Sequence, residues 1–149
     1  MAVPASTVAT AAVLGAVGAL HVAWAAGSTF PLEDREAFSA TFLGVDGLGS
    51  PGPAACLAVA GLVTTTACAA VVATQTSSGS RVGRLSRRGA RTAARVLAVR
   101  AAAGIAVSGF GLRATSPRFR TLDLTVYSPL CATLAVGLAR SARTARPFR

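Results

Sequence analysis

The chain has no lysine, five acidic residues and a single histidine, tryptophan and tyrosine among its 149 residues. Charged residues make up 13%, about half the ~25% of an ordinary soluble domain, too few to solvate a globular surface of this size. Net charge is +10 and pI is near 11.7, which in a basic chain raises nucleic acid as a partner. Aromatic residues are only 5% of the chain, leaving few platforms for base stacking. The fifteen basic residues, all arginine, stand between apolar blocks rather than on one polar surface, so nucleic acid is set aside. Cys56, Cys68 and Cys131 form no CxxC pair and no metal-type cluster. Cys56 and Cys68 are twelve residues apart on one expected helix, about 18 Å along its axis, too far to bridge. All three cysteines read as small buried residues. There is no phosphate-cradling loop, Gly-x-Ser-x-Gly elbow or HExxH, so no metal and no cofactor is expected.

What the chain has in abundance is apolar residues, 52% with a mean hydropathy of +0.57, gathered in long blocks. Residues 3–26 and 54–75 carry no formal charge. Residues 96–112 are flawed by Arg100 and residues 122–139 by Asp123. About 20 residues cross a bilayer as a helix. A backbone at that depth satisfies its own hydrogen bonds only as helix or closed barrel, and the alternation of barrel strands is missing. The reading is an all-α membrane protein, a single domain of four transmembrane helices in a bundle. Arg81, Arg84, Arg87, Arg88 and Arg91 lie between spans two and three, and Arg140, Arg143, Arg146 and Arg149 in the tail. Only Arg35, Arg113, Arg118 and Arg120 lie in the other two connections. This bias predicts that both termini and the middle loop, residues 76–95, are cytoplasmic. Residues 27–53, with Glu33, Asp34, Glu36 and Asp46, then face outward. Ala23-Trp24-Ala25 has the look of a signal-peptidase site, but no basic residue precedes the first apolar run and that run exceeds a typical signal h-region, so it is read as a retained span. Arginine-only basic residues with much Ala, Gly and Val suit a GC-rich bacterial genome and a multi-pass protein of the plasma membrane.

Arg81, Arg84, Arg88, Arg91 and Arg95 recur at helical spacing and form one basic stripe. The stripe is expected to lie on anionic lipid headgroups, a solvated cytoplasmic face being the simpler alternative. Gly15, Ala16, Gly18, Ala19, Gly61, Gly104 and Ser108 are expected to let helices pack closely.

Polar residues within the spans collect in one layer. With 1.5 Å per residue, and spans one and four centred near residues 15 and 130, His21 and Asp123 both lie about 10 Å outward of the midplane. Trp24, three residues from His21, sits where tryptophan anchors at an interface. Asp123, Tyr127 and Cys131 share a helical face. Pro129 withholds a donor from the Thr125 carbonyl. Asp123 is read in two ways, as a cap at a helix start or a structural pair, or as a functional carboxylate facing the bundle interior. His21 either fills an interhelical hydrogen bond or joins Asp123 in acid–base work. Arg100, about 6 Å inward of the midplane, either snorkels or meets backbone carbonyls or an anionic ligand. By this arithmetic it is too far from Asp123 for a direct pair. Arg118 and Arg120 flank the outer mouth, either solvated or holding an anionic headgroup.

The blocks His21-Val-Ala-Trp24-Ala-Ala-Gly27, Pro51-Gly-Pro53 and Arg118-Phe-Arg-Thr-Leu-Asp123-Leu-Thr-Val-Tyr-Ser-Pro-Leu-Cys131 resemble the DUF3995 family of small bacterial integral membrane proteins. Ala23 and Ala26 depart from the tyrosine and leucine of that pattern. The resemblance covers essentially the whole chain and implies a four-helix membrane fold, but no activity. Two functions are expected from the residues. One is binding, or proton-assisted isomerisation or cyclisation, of a lipophilic small molecule in the outer-half niche. His21, Asp123 and Tyr127 would be the catalytic candidates there, and Trp24, Arg100, Arg118, Arg120 and Cys131 the ligand-binding ones. The other is a non-catalytic membrane subunit packing against a partner or against itself.

Overall fold

The computed structural model describes residues 2–32, 41, 52–77, 79–112 and 115–144. Within them the chain forms four helices and no strand. They are α1 (Ala5–Ala25), α2 (Pro53–Gln75), α3 (Arg81–Phe110) and α4 (Pro117–Arg143). Each is long and apolar enough to cross a membrane. Inside α4, a π-helical turn at Asp123–Tyr127 separates α-helical Pro117–Leu122 from Ser128–Arg143.

Alanine, leucine and arginine make these strong helical segments, and local signals set their ends. The Ser80 hydroxyl accepts the Gly83 N–H at 2.9 Å and starts α3. Gly111, at φ 65°, stops it by turning the chain so that the Leu112 N–H returns to the Val107 carbonyl at 3.0 Å. Ser116 starts α4 by accepting the Phe119 N–H at 3.2 Å, with Pro117 in the first turn, where its missing donor costs nothing.

α1 lies along α2, and α3 along α4, as two hairpins. The hairpins join through α2 and α3, while α1 and α4 close the ring with a lighter contact. Between 17% and 33% of each membrane-length stretch is buried within the bundle, so many large apolar side chains point outward, for example Leu57, Leu62, Val99 and Ile105. The core is small: Leu14, Ala70, Ala94, Leu134 and Leu138. Beside it Thr7, Thr10, Ser108, Asp123, Ser128 and Ser141 are buried. A polar interior under an apolar exterior is the arrangement that a hydrocarbon solvent favours. Thr7 and Ser141 share a hydrogen bond of 2.9 Å, so the beginning of α1 and the end of α4 stand at the same end of the bundle.

Several expectations are corrected. The third helix starts fifteen residues before residue 96: the segment read as loop 76–95 is, from Arg81 on, part of α3, because the Ser80 cap opens a run that no proline interrupts. The exposed stripe of Arg81, Arg84, Arg88, Arg91 and Arg95 therefore continues into the third span. At 1.5 Å per residue α3 is about 45 Å long, and its excess over a ~30 Å hydrocarbon core falls on its arginine-rich half. Of the small residues, Gly18 packs on Thr64 and Val63, and Gly104 and Ser108 are buried. Gly15, Ala16, Ala19 and Gly61 are exposed, since the buried face of α1 runs through Thr7, Thr10, Leu14 and Gly18 and leaves them on the other side. Cys56 is buried and Cys131 half-buried, but Cys68 is exposed on the outward face of α2. Glu33, Asp34, Glu36, Asp46, Arg35, Arg113, Arg146 and Arg149 lie outside the described residues.

Candidate functional site

Asp123 is 1% exposed and sits in the second turn of α4. Its Oδ1 accepts from Arg100 Nη2 at 2.8 Å and from the Ser128 hydroxyl at 3.2 Å. Its Oδ2 accepts from the Ser108 hydroxyl at 2.6 Å. The carboxylate is thus neutralised by α3 and oriented by both α3 and its own helix. The capping reading fails because Pro117 and Ser116 start the helix six residues earlier. The pairing reading holds.

The partner is Arg100, which the depth arithmetic had placed too far away. That arithmetic compared backbone levels and omitted the side chain. Arg100 extends along α3 toward Gly104, one turn of 5.4 Å further on, where no β-carbon stands in its way. A β-carbon on Gly104 would collide with the Arg100 guanidinium and the Ser128 hydroxyl, and would lie 2.9 Å from Asp123 Oδ2. Arg100, Gly104 and Ser108 recur every four residues and form one face of α3. The Arg100 side chain is 41% exposed. Among the described residues only its Nη2 has an acceptor, although a guanidinium carries five N–H donors.

The π turn brings Ser128 into this group. Pro129 has no N–H for the Thr125 carbonyl, and its ring crowds that carbonyl. The Ser128 N–H bonds instead to the Asp123 carbonyl, five residues back, the signature of a π-bulge, which recurs at functional sites. At 100° per residue an α-helix would put Ser128 about 140° around the axis from Asp123; the wider turn lets both face α3.

The remaining candidates lie around this centre without joining it. His21 donates from Nδ1 to the Val17 carbonyl of its own helix at 2.8 Å, and its ring packs on Trp24 with centroids 4.8 Å apart. It shares no hydrogen bond with Asp123. Trp24 Nε1 donates to the Phe30 carbonyl at 2.7 Å, closing the turn after α1. Tyr127 is half-buried against the Phe119 ring, centroids 6.3 Å apart. Cys131 is half-buried one turn further along α4. Arg118 is exposed. Arg120 Nε donates to the Ser108 carbonyl at 3.0 Å and lies over Gly111, so it steadies the end of α3 beside the group. Ser128 went unrecognised in the sequence, and Gly104 and Ser108 were read only as packing residues. Their four-residue spacing from Arg100 was the available signal.

The fold and the Arg100–Asp123 ion pair define a polytopic helical bundle with a charged centre between its third and fourth helices. The chain belongs to DUF3995, a family described as protein of unknown function, whose model matches residues 14–138. No curated protein and no solved structure matches it.

Proposed function

We propose that this is a bacterial plasma-membrane protein, both termini cytoplasmic, that binds a lipophilic small molecule bearing a hydrogen-bond acceptor at Arg100. The observation that carries this reading is an arginine with a 41% exposed side chain held by a fully buried carboxylate. Asp123 fixes one N–H and balances the charge. The other guanidinium donors have no acceptor among the described residues, and unsatisfied donors at bilayer depth are costly. A carbonyl, hydroxyl, carboxylate or phosphate of a guest satisfies them. Binding is better supported than proton-assisted isomerisation, because both Asp123 oxygens already accept from the protein's own donors and His21 is committed to its own helix. The orientation rests on the arginine bias, with Arg81, Arg84, Arg88, Arg91, Arg95, Arg140 and Arg143 gathered near the end that holds the start of α1 and the end of α4, where they meet anionic headgroups.

A second reading, a subunit packed against a partner or itself, draws support from Gly15, Ala16 and Ala19, which are exposed on α1, a surface that suits close helix approach. Native mass spectrometry of gently solubilised protein separates the two. A small-molecule adduct present on wild type and lost in Asp123→Ala is the expected result. A bare chain, or one carrying only a second polypeptide, overturns the binding reading.

A further inference from the structure

A second feature lies away from Arg100, along the lightly packed seam between α1 and α4. There an open groove of about 520 Å³ is walled by Ala9 and Val13 of α1 and by Leu130, Thr133 and Val136 of α4, with Arg140 at one end. Its floor forms where Thr10 seats against Gly137, which has no β-carbon to hold it off. We propose that this seam holds one acyl chain of an anionic phospholipid, with the lipid phosphate on Arg140.

Three observations select that occupant. The groove's threonines offer no donor to a polar guest: Thr10 donates to the Ser6 carbonyl at 2.8 Å and Thr133 to the Pro129 carbonyl at 2.7 Å. Apart from Ser6, near the Arg140 end, the walls present apolar groups. From Leu130 to Arg140 is ten residues, about 15 Å of helix, or half of a ~30 Å hydrocarbon core. The groove therefore runs the depth of one leaflet. Its charge is confined to the end where a headgroup would lie, and Arg143 stands one turn beyond Arg140 on α4. An alkyl chain with an anionic end matches this polarity. Basic pockets between transmembrane helices are the sort of place where anionic headgroups settle.

The test is titration of the detergent-solubilised protein with dioleoylphosphatidylglycerol or dioleoylphosphatidylcholine, with lipid-bound species read by native mass spectrometry. Wild type is expected to retain the anionic phosphatidylglycerol about five-fold better, the preference that one arginine near a headgroup supplies. Arg140→Gln should erase this preference, and Arg140→Lys should keep it. Ala9→Trp, which fills the groove from an exposed position, should abolish retention of both lipids. Equal retention of the two lipids by wild type overturns the proposal, as does unchanged retention in Ala9→Trp. A wild-type dimer that Ala9→Trp splits also overturns it, since a second copy would then cover the seam.

Discussion

In the α1–α2 hairpin, polar side chains mostly bond at home. Thr10, His21, Thr66 and Thr74 each donate to a carbonyl three or four residues back on the same helix, and Trp24 bonds within the turn that follows α1. The threonines of α4 do the same, but charged side chains of the α3–α4 hairpin cross between helices. Arg100 and Ser108 of α3 reach the Asp123 carboxylate of α4, Arg120 reaches back to the Ser108 carbonyl, and Arg91 reaches the Ala142 carbonyl at 3.5 Å. A hydroxyl that back-bonds to its own helix is hidden from lipid and leaves helix pairing to van der Waals contact. A carboxylate has no such recourse, because the backbone carbonyls beside it only accept. Asp123 draws two of its three side-chain donors from across the interface, and its helix pair becomes specific in register. The α1–α2 pair is accordingly held by shape, and the α3–α4 pair by charge.

Breaking the charge should have the largest effect. Asp123→Ala leaves Arg100 without a counter-charge at bilayer depth and is expected to cost about 3 kcal/mol, the low end for a broken pair because Arg100 is two-fifths exposed. Thermal unfolding in detergent micelles measures this. Asp123→Asn, which keeps one acceptor oxygen, turns the other into an NH2 donor and removes the charge, should fall between wild type and Asp123→Ala. If the alanine variant unfolds like wild type, charge does not hold this hairpin.

Gly104→Ala tests the geometry without removing any partner. The added methyl occupies the space of the Ser128 hydroxyl and the Arg100 guanidinium, and such overpacking typically costs ~1–3 kcal/mol. The same change at exposed Gly61, which has nothing nearby, should stabilise slightly, by less than about 1 kcal/mol, through helix propensity. Opposite signs at two glycines of one bundle would sharpen the contrast between the hairpins. Equal signs would erase it. Smaller still is Ser128→Ala. It removes one of three donors to Asp123, the one from its own helix, and a hydrogen bond is worth ~0.5–1.5 kcal/mol net, so a loss at the low end of that range is expected in the same unfolding measurement.

The uneven legibility of this molecule in its sequence follows from the same division. Four apolar blocks spell out four helices, since each must satisfy its backbone alone. Arg100 and Asp123 stand out because a charge in an apolar run is conspicuous. Their pairing was hidden by two features that a simple helical wheel omits. The reach of an arginine side chain adds a turn to any depth calculation, and that reach is open only because Gly104 lacks a β-carbon. The π turn moves Ser128 onto the Asp123 face, where a 3.6-residue period excludes it. Pro129 announced a disturbed carbonyl at Thr125, but the length of the resulting turn is decided by packing against α3. The start of α3 was legible in Ser80, yet the arginine stripe drew attention as a surface feature and concealed the continuity of the helix.

The smallest expected effect bears most directly on function. His21 and Asp123 share a depth in the sequence arithmetic but no hydrogen bond in the structure. If the two act as separate groups, His21→Ala and Asp123→Ala should add in a double-mutant cycle, with a coupling energy within ~0.3–0.5 kcal/mol of zero. His21→Ala alone should weaken the packing of Trp24 by about 0.5–1.5 kcal/mol, the range of an aromatic pair, while leaving adduct retention at Arg100 unchanged. A coupling well above 0.5 kcal/mol, or loss of the adduct in His21→Ala, would mean that the first hairpin closes onto the second when a ligand is bound. The division between a helix pair held by shape and one held by charge would then describe only the ligand-free protein, and proton exchange between His21 and Asp123 would return as the reaction to test.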